Sequence, residues 1–435
     1  LFAESAMKSI IKSVKGTRDY YPELMAVRKW LYESARSVAE SFGYQEYEAP
    51  ILESLDLYAA KSGDELVKEQ SFVFEDRGGN LVTLRPELTP SLARMVAQRQ
   101  NQLVFPLRWW SFGPFWRYER PQKGRTREFF QWNIDLIGPN TPSADAELVA
   151  IVASFFQKVG LSPEDTQILV NNRQLIETEL ISIGIQPDKF TDIFRLIDRR
   201  DKLSTANWES YAADLGLQTK EIDALQILLA DQNLWQKSDS LLGLFPAVDA
   251  LGYSDYVRYA PHVIRGLDYY TGTVFEAQAI RGGLTRSILG GGRYDNLLSD
   301  VGGKALSGVG FAMGDLVITL VLEELDLIPA SIKSPSALIM VTVFNEDTQL
   351  ESVSLAEELR QAGLNVNCYP QVDKIGKQLK YGDRTGIKVA VLLGPDELAN
   401  QSITLKDLST GSQQTVARTE TAKTIIQMLE NTDPS

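Results

Sequence analysis

Polar residues suited to binding a small ligand are concentrated in residues 265–276, which read RGLDYYTGTVFE. An arginine, an aspartate and two adjacent tyrosines stand there before a β-prone run. A fixed cation can face an anionic group, and phenol hydroxyls can form hydrogen bonds with a polar ligand. The segment therefore predicts one wall of a polar small-molecule pocket. A surface ion pair between Arg265 and Asp268 is the alternative.

A second concentration of charge lies in residues 115–129, where five cations surround a turn marked by Pro121 and Gly124. Beyond the turn, Gln131, Asn133 and Asp135 fall on one face of a strand, because side chains alternate along a strand. A polar row beside an arginine-rich turn indicates a site for a nucleotide phosphate and its co-substrate. An exposed hairpin that only carries solvated charge is the alternative.

The composition is that of an ordinary globular protein, with 44% hydrophobic and 23% charged residues among 435. This length predicts two or three domains. The single cysteine, Cys368, cannot form an intrachain disulfide, and no cluster of Cys and His indicates zinc. No apolar run approaches the roughly 20 residues of a membrane span, and no charged-then-apolar leader opens the chain. We therefore expect a cytoplasmic protein that does not enter a membrane.

The net charge of −13, from 44 basic and 57 acidic residues, argues against non-specific binding to nucleic acid. Two local clusters of cations still permit contact with RNA: the turn described above and residues 373–384. In the second cluster, three- and four-residue spacing places the cations on one helical face. That face suits phosphates, with nearby tyrosines stacking on splayed bases. A solvated charged helix is the alternative.

The periodicity of apolar residues predicts the order of elements. A helix is expected from Met25 to Phe42, and two strands, 104–120 and 127–138, flank the charged turn. Residues 176–255 have the leucine-rich spacing of amphipathic helices.

Farther along, strands return at about 263–290, and a glycine-rich helix is expected to begin near Gly291. After a short linker at 328–335, strands alternate with amphipathic helices, which is typical of a small α/β domain.

The charged hairpin resembles motif 2 of class II aminoacyl-tRNA synthetases, and residues 265–276 resemble the histidine-specific signature of histidyl-tRNA synthetases. Residues 83–87 and 289–295 resemble two further segments of that family, and the resemblance extends from about Lys15 to Val416. It implies an α+β catalytic domain on a mostly antiparallel sheet, a helical insertion and a C-terminal α/β anticodon-binding domain. The implied boundaries are 8–175 and 256–328 for the catalytic domain, 176–255 for the insertion and 329–435 for the anticodon-binding domain.

The resemblance also implies an activity. A histidine–tRNA ligase activates histidine with Mg-ATP, which gives histidyl-adenylate and pyrophosphate. It then transfers histidine to the 3′ end of its tRNA. ATP and Mg²⁺ are therefore expected as substrates, with no metal held tightly by the protein. Motif 1, which the helix and strand ending at Pro50 resemble, implies a homodimer.

Site residues are implied by position in these motifs. The implied catalytic residues are Arg265 and Arg117. The implied histidine contacts are Glu87, Thr89, Gln131, Asp135, Arg265, Tyr269 and Tyr270. The implied ATP contacts are Arg117, Glu119 and Arg125. The implied tRNA contacts are Arg120, Lys374, Lys377, Lys380 and Arg384.

The chemistry of these residues suits the implied substrate. Imidazole offers an N–H donor and a second nitrogen, so an acceptor such as Asp135 on one side and a tyrosine hydroxyl on the other can recognise it. Unpaired buried polar groups would then reject analogues, and no editing domain is needed. For Glu87, a helix N-terminal charge is the alternative. His262, the only histidine, is interpreted as structural.

One family feature is missing. Motif 3 carries an arginine in a glycine-led helix, whereas residues 308–317 here place Val317 at that position. The alternative reading is therefore a non-catalytic synthetase-like regulatory subunit of ATP phosphoribosyltransferase. The retained Arg117, Arg125, Gln131 and Arg265, together with a C-terminal α/β domain, favour the ligase.

Overall fold

The computed structural model describes residues 10–59, 70–264, 270–281, 287–296, 299, 302–333, 335 and 337–430. The chain divides into two compact units, Leu1–Ile328 and Pro329–Ser435. No helix of the described residues is long and apolar enough to cross a lipid bilayer.

The first unit contains two sheets. Its strands in chain order are β1 (Gln45–Glu46), β2 (Leu52–Ser54), β3 (Phe72–Glu75), β4 (Leu81–Leu84), β5 (Leu107–Trp116), β6 (Glu128–Ile137), β7 (Thr166–Asn172), β8 (Val257–Tyr259), β9 (Thr273–Ala279), β10 (Ser287–Tyr294) and β11 (Gly308–Gly314). The large sheet has the order β1-β5-β6-β11-β10-β9-β7-β8, and the small one has the order β2-β4-β3. In the large sheet only the outer pairs, β1–β5 and β7–β8, are parallel. The predicted mostly antiparallel sheet is confirmed.

Ten α-helices accompany these strands in the described part of the first unit. They are α1 (Pro22–Ser41), α2 (Leu55–Ala59), α3 (Thr89–Arg99), α4 (Pro142–Lys158), α5 (Arg173–Ser182), α6 (Phe190–Asp198), α7 (Thr205–Asp214), α8 (Thr219–Ala230), α9 (Asp239–Ala250) and α10 (Asp315–Glu324). The predicted helix from Met25 to Phe42 corresponds to α1. Pro22 begins α1, where a missing N–H removes no helical hydrogen bond. Gly43 follows its end with a φ of +80°, a conformation that glycine adopts without strain.

The core lies between α4 and one face of the large sheet. Helix α4 buries most of its length, including Phe155 and Phe156, as expected for a helix that is apolar all round. The Phe155 ring lies 5.2 Å from that of Trp132 on β6, and the Trp132 ring lies 5.1 Å from that of Phe311 on β11. Because side chains alternate along a strand, Gln131, Asn133 and Asp135 lie on the opposite face of the sheet.

Two glycine-rich segments differ from the sequence prediction. The helix expected near Gly291 is wrong, because residues Ser287–Tyr294 form strand β10. The glycine-led helix expected at 308–317 is a strand as far as Gly314, and α10 begins only at Asp315. The glycines permit close packing between strands: a Cβ on Gly291 would lie 2.5 Å from the carbonyl oxygen of Gly310. Close strand packing, rather than a helix start, is what these glycines provide.

Residues 173–250 form helices α5 to α9, joined by short turns. Side-chain caps explain several of their starts: Asn172, Ser204 and Ser238 accept hydrogen bonds from backbone N–H groups in the first turns. Such residues satisfy donors that a helix start leaves unpaired. The insertion boundaries at 176 and 255 stay predictions.

The second unit is an α/β domain. Its strands are β12 (Ile339–Val341), β13 (Val366–Cys368), β14 (Val389–Leu392), β15 (Ser402–Asp407) and β16 (Gln413–Ala417), in the sheet order β13-β12-β14-β15-β16. Its helices are α11 (Glu346–Gln361), α12 (Ile375–Arg384), α13 (Pro395–Ala399) and α14 (Thr421–Glu430). Strand β12 pairs in parallel with β13 and β14, so the predicted alternation of strands and helices is confirmed.

Candidate active site

The face of the large sheet opposite α4 carries small residues around a short polar row. Along β6, Gln131 pairs with Gly113 and Gly314, and Asn133 pairs with Ser111 and Ala312. Asp135 pairs with Gly310 on β11. Cross-strand partners project from the same face of a sheet. The polar side chains of β6 are therefore flanked by glycine, alanine and serine, and Asp135 also by Trp109 of β5. We call this face the floor of the site.

A cavity of about 270 Å³ adjoins the floor. The hairpin of β5 and β6 contributes Arg117, Glu119 and Arg125 to its lining, together with Phe129 and Gln131. The other side of the lining comes from Ser287 to Gly290 of β10 and from Gly314 to Val317. The structure thus brings together the arginines of the hairpin and the first polar residue of the floor.

The Arg117 side chain is held by a backbone carbonyl group and an aromatic ring. Its Nε donates a 2.9 Å hydrogen bond to the carbonyl oxygen of Pro86, and its guanidinium lies 5.4 Å from the Phe129 ring centroid. Its two terminal amino groups form no hydrogen bond or ion pair with the described residues. A guanidinium held in this way presents a fixed, permanent cation to an anionic ligand.

The loop of the hairpin is more exposed. Arg125 forms a 3.5 Å ion pair with Glu119, although 58% of the Arg125 side chain is accessible to solvent. Arg127 lies 3.9 Å from the Tyr118 ring centroid and donates from Nε to the carbonyl oxygen of Glu119. Arg120 is exposed near the tip. Exposed ion pairs are weak, so Arg125 can exchange Glu119 for a ligand phosphate at little cost.

Asp135 lies at the deep end of the polar row and is only 6% exposed. The Tyr294 hydroxyl donates a 2.6 Å hydrogen bond to its Oδ1. Burial raises the pKa of Asp135 to about 7, although the bond from Tyr294 opposes that shift. Desolvation is the cause, because it disfavours the ionised carboxylate. Asp135 is thus a buried hydrogen-bond acceptor whose charge changes near neutral pH.

Glu87 lies in the segment between β4 and α3 and is buried. The Tyr58 hydroxyl donates to the Glu87 carbonyl oxygen at 3.2 Å, and Thr89 is the first residue of α3. The preceding Arg85 is fully buried and donates hydrogen bonds to the carbonyl oxygens of Pro114 and Ala49. These bonds fix the segment beside β5, next to the carbonyl oxygen that Arg117 contacts.

The far wall carries Tyr270, which is buried beside β10. A Cβ on Gly292 would lie 2.8 Å from Cδ1 of Tyr270, so the ring rests directly on the β10 backbone. Arg265 and Tyr269, which the sequence also predicts as site residues, lie outside the described residues.

Comparison with known proteins matches both units. The family model for histidyl-tRNA synthetase matches residues 16–315, and a model for an anticodon binding domain matches residues 336–428. This chain belongs to the histidyl-tRNA synthetase family.

Individual relatives of the histidyl-tRNA synthetase family match nearly the whole chain. The histidine–tRNA ligase of Thermoplasma volcanium is 38% identical over 422 residues, covering 93% of this chain and 96% of the relative. The crystal structure of histidyl-tRNA synthetase from Nostoc sp. PCC 7120 has a TM-score of 0.81 at 25% identity, covering 97% of this chain and all of that one. The predicted class II synthetase fold is therefore confirmed.

Another similar crystal structure has a name that includes both the ligase and the regulatory subunit. It is an ATP phosphoribosyltransferase regulatory subunit/histidyl-tRNA synthetase from Bacillus halodurans, with a TM-score of 0.71 at 22% identity, covering 86% of this chain and 97% of that one. At that identity the likeness concerns the fold alone.

Several residues that hold this histidyl-tRNA synthetase site together were missed by sequence reasoning. Arg293 is 5% exposed and pairs with Asp145 at 2.5 Å. Its carbonyl oxygen accepts a hydrogen bond from the N–H of Thr271, and the Thr271 hydroxyl donates to Asp295 at 2.6 Å. These bonds link β10 to the segment that precedes β9. The string Gly-Arg-Tyr-Asp at 292–295 was the available signal, including the Tyr294 that contacts Asp135.

Val317, which the sequence resemblance puts at the place of the motif 3 arginine, lines the cavity. The Asp315 carboxylate is held by hydrogen bonds within the protein. It accepts them from Arg18, Tyr20 and the backbone N–H of Phe130, each at 3.0 Å. The start of α10 is thus joined to the N-terminal segment and to β6.

In the second unit, the basic cluster lies on helix α12. Lys374 precedes the helix, and Lys377, Lys380 and Arg384 lie within it and are exposed. Lys377 pairs with Asp373 at 2.5 Å, an exposed contact of little energetic weight. The Tyr381 ring lies 5.6 Å from that of Tyr369. Among the described residues, no group of His, Cys, Asp or Glu is arranged to hold a metal ion.

Proposed function

We propose that this chain is a histidine–tRNA ligase. In the first reaction, a carboxylate oxygen of histidine attacks the α-phosphorus of Mg-ATP, and pyrophosphate leaves as its bond to that phosphorus breaks. In the second, the terminal ribose hydroxyl of tRNA attacks the histidyl carbonyl carbon and AMP leaves. The observation that carries the proposal is one continuous floor, with a buried acceptor, Asp135, at one end and the arginine-lined cavity at the other.

Arg117 is proposed to bring the two reacting anions together. The hydrogen bond from its Nε to Pro86 fixes the guanidinium, so its terminal amino groups can contact the histidine carboxylate and the α-phosphate. Holding both reactants in line removes much of the entropic barrier to their reaction. Arg265 keeps its proposed role of stabilising negative charge on the α-phosphate.

The amino acid is proposed to lie along the polar row. Glu87, Thr89 and Gln131 would bind its α-ammonium group. Asp135 would accept the hydrogen bond from the imidazole N–H, with Tyr294 holding Oδ1 of that carboxylate in place. Tyr269 and Tyr270 are proposed contacts on the other side of the ring.

ATP and tRNA are proposed to meet at the hairpin. Glu119 and Arg125 line the cavity and are suited to the adenine and the outer phosphates, and Val317 adds an apolar contact. Mg²⁺ would arrive with ATP, because its phosphates need a hard divalent partner. Arg120 is assigned to the acceptor end of tRNA. The cations at the start of α12 and within it are assigned to the anticodon region: Lys374, Lys377, Lys380 and Arg384.

The small sheet is proposed to form the interface of a homodimer. One face of β2, β3 and β4 is apolar, as strand register and alternation indicate; it is formed by Leu52, Phe72, Phe74, Val82 and Leu84. Leu52 and Phe74 are each 47% exposed. Exposed apolar faces of this kind are typical of protein interfaces. A second copy of the chain is the occupant that the motif 1 resemblance implies.

The test of activation is histidine-dependent exchange of labelled pyrophosphate into ATP. We expect exchange by the unmodified chain with histidine and none with other amino acids. Arg117→Ala should lower the exchange rate by about a hundredfold or more, since removing one stabiliser of transition-state charge has an effect of that order. Arg195→Ala is the matched control, because Arg195 is an exposed arginine on α6, and its exchange rate should be unchanged.

The alternative function makes the opposite prediction. A regulatory subunit of ATP phosphoribosyltransferase would bind that enzyme and would not exchange pyrophosphate. Val317 is the one observation in its favour. Folded protein that shows no exchange with histidine and Mg-ATP would overturn the ligase proposal.

A further inference from the structure

Residues 14–20, the N-terminal segment that precedes α1, contact the hairpin of the candidate active site. The carbonyl oxygen of Gly16 accepts hydrogen bonds from the N–H of Arg127 at 2.8 Å and from that of Glu128 at 3.3 Å. The carbonyl oxygen of Arg127 in turn accepts a 2.8 Å hydrogen bond from the N–H of Arg117. Gly16 is therefore two backbone hydrogen bonds away from the residue that is proposed to hold both reacting anions.

A tight turn explains why residue 16 is glycine. The N–H and the hydroxyl of Thr17 both donate to the carbonyl oxygen of Val14, at 3.0 and 2.7 Å, which closes a four-residue turn. Gly16 is the third residue of this turn and has a φ of +90°, a conformation that favours glycine at that position. A Cβ on Gly16 would also lie 2.7 Å from Cγ of Arg127. The turn thus sets how closely the N-terminal segment approaches the hairpin.

The second contact of the N-terminal segment is with the Asp315 carboxylate at the start of α10. Arg18 and Tyr20 each donate to its Oδ2 at 3.0 Å, and the backbone N–H of Phe130 donates to its Oδ1 at 3.0 Å. Asp315 belongs to one wall of the cavity, and the residues on either side of Phe130 belong to the hairpin wall. One buried carboxylate therefore joins the two walls, and the N-terminal segment holds that carboxylate.

A cation between two aromatic rings adds a third contact. The Arg28 guanidinium of α1 lies 4.1 Å from the ring centroid of Tyr20 and 4.1 Å from that of Phe130. Cations attract the faces of aromatic rings. Helix α1 therefore secures the N-terminal segment against the same strand residue whose N–H binds Asp315.

The position of the hairpin matters because the hairpin supplies the cations of the cavity. Among the described residues that line it, the only cations are Arg117 and Arg125, and both belong to the hairpin. Helix α10 on the opposite wall contains no Lys or Arg. A triphosphate carries several negative charges, so its binding in this cavity depends on where the hairpin holds these two guanidinium groups.

We propose that the N-terminal segment positions the two walls of the cavity for ATP, with Gly16 and Arg18 as positioning residues. This inference rests on the proposed function, which places ATP in this cavity. Gly16 acts through the backbone of the hairpin, and Arg18 acts through Asp315. A site whose groups are already held in place loses less conformational freedom when the ligand binds, and its affinity is higher for that reason.

The test is calorimetric titration of Gly16→Ala with Mg-ATP and, separately, with histidine. Mg-ATP should bind about tenfold or more weakly, because the new Cβ displaces Arg127 and with it the hairpin. Histidine should bind less than about threefold more weakly, because Asp135 stands seven residues beyond Glu128 on β6, roughly 24 Å along the strand. A merely structural role would weaken both ligands alike or neither, and either result would overturn the inference.

Gly43→Ala is the matched control. Gly43 also has a positive φ, +80°, so alanine suffers similar backbone strain there. A Cβ on Gly43 would meet nothing within 4 Å, and both affinities should be unchanged. A loss of Mg-ATP affinity in Gly43→Ala equal to that in Gly16→Ala would attribute the effect to strain alone and overturn the inference.

Two variants of Arg18 keep the test independent of the turn. Arg18→Ala removes a donor to Asp315 and should weaken Mg-ATP binding by about tenfold. Arg18→Lys keeps a cation that can pair with Asp315 and should bind Mg-ATP within about threefold of the unmodified chain. If Gly16→Ala fails to fold, this pair decides: equal Mg-ATP affinities for Arg18→Ala and the unmodified chain would overturn the inference.

Binding of Mg-ATP does not require chemistry, so the two proposals can fail separately. Mg-ATP affinity that depends on Gly16 and Arg18, together with no pyrophosphate exchange, would refute the ligase and sustain the positioning role. Exchange with unaltered Mg-ATP affinity in the variants would do the reverse. No binding of Mg-ATP to the unmodified chain would overturn both.

Discussion

At the scale of single residues, the account depends on Asp135. Its carboxylate is buried, receives one hydrogen bond from Tyr294 and has a pKa raised by burial to about 7. Above that pH the group is an anionic acceptor, and below it the group is a neutral acid and a weaker acceptor. The strength of histidine recognition should therefore depend on pH.

We expect the affinity for histidine to rise as pH rises through about 7, because deprotonation creates the acceptor for the ring N–H. Histidine itself titrates near pH 6.5, so the comparison with Asp135→Asn isolates the protein's contribution. That variant should bind histidine about tenfold to a hundredfold more weakly at pH 8. Calorimetric titrations at several pH values measure both effects. Identical pH profiles for the two proteins would contradict the role of Asp135.

Alternation along one strand was sufficient to predict that Gln131 and Asp135 share a face. The contribution of Tyr294 could not be predicted, because it depends on pairing between β10 and β11, which are adjacent in the sheet but separated by loops. The buried pair of Arg293 and Asp145 joins residues 148 positions apart. No local spacing contains that information.

At the scale of elements, the shape of the floor depends on how closely neighbouring strands approach each other. A Cβ on Gly310 would lie 2.1 Å from Oδ1 of Asp135 and 2.8 Å from the carbonyl oxygen of Ile134. Contacts that short require the carboxylate and the strand to move. The absence of a side chain at Gly310 is therefore a condition for the acceptor's position.

Gly310→Ala should weaken histidine binding by about tenfold or more, because a 1 Å displacement of a site group has effects of that order or larger. Gly376→Ala is the control, since Gly376 lies on α12 of the second unit and a Cβ there would meet nothing within 4 Å. Its histidine affinity should be unchanged when both variants are titrated with histidine alone. Equal affinities for the two variants would show that the close packing seen at Gly310 does not control the site.

Helix α10 is fixed by the contacts of Asp315 at its first residue. Asp315→Ala would leave Arg18 and Tyr20 without this partly buried acceptor, and we expect a loss of about 2–3 kcal/mol in unfolding free energy. Arg36→Ala breaks only exposed ion pairs on α1 and should change stability by less than about 1 kcal/mol. Differential scanning calorimetry of both variants checks the contrast. A similar small shift in both would mean that the Asp315 contacts do not stabilise the fold.

Sequence patterns predicted α1, the hairpin and the α/β alternation of the second unit, because each has a clear apolar period. They failed at residues 291–294 and 308–314, where glycines were interpreted as helix starts. Glycine has no side chain to show a period, so only the neighbouring strands reveal whether it serves a turn or close packing.

At the scale of the whole molecule, the fold and family agree with the sequence prediction, and the homodimer is a proposal. Phe74→Glu places a charge on the apolar face of β2, β3 and β4. Sedimentation velocity should then show a monomer where the unmodified chain sediments as a dimer, because an unpaired charge is costly to bury. Leu350→Glu is the control, since Leu350 is 80% exposed in the second unit, and it should remain dimeric. A dimeric Phe74→Glu would exclude this face as the interface.

The family, fold and motifs converge on one activity, and attachment of histidine to tRNA tests it most directly. Radiolabelled histidine, Mg-ATP and histidine tRNA are mixed with the unmodified chain, and label that precipitates with the tRNA is counted. We expect histidine to be esterified to the 3′ end of this tRNA and no other amino acid to replace it. Folded chain that binds histidine and ATP yet leaves the tRNA uncharged would contradict the account.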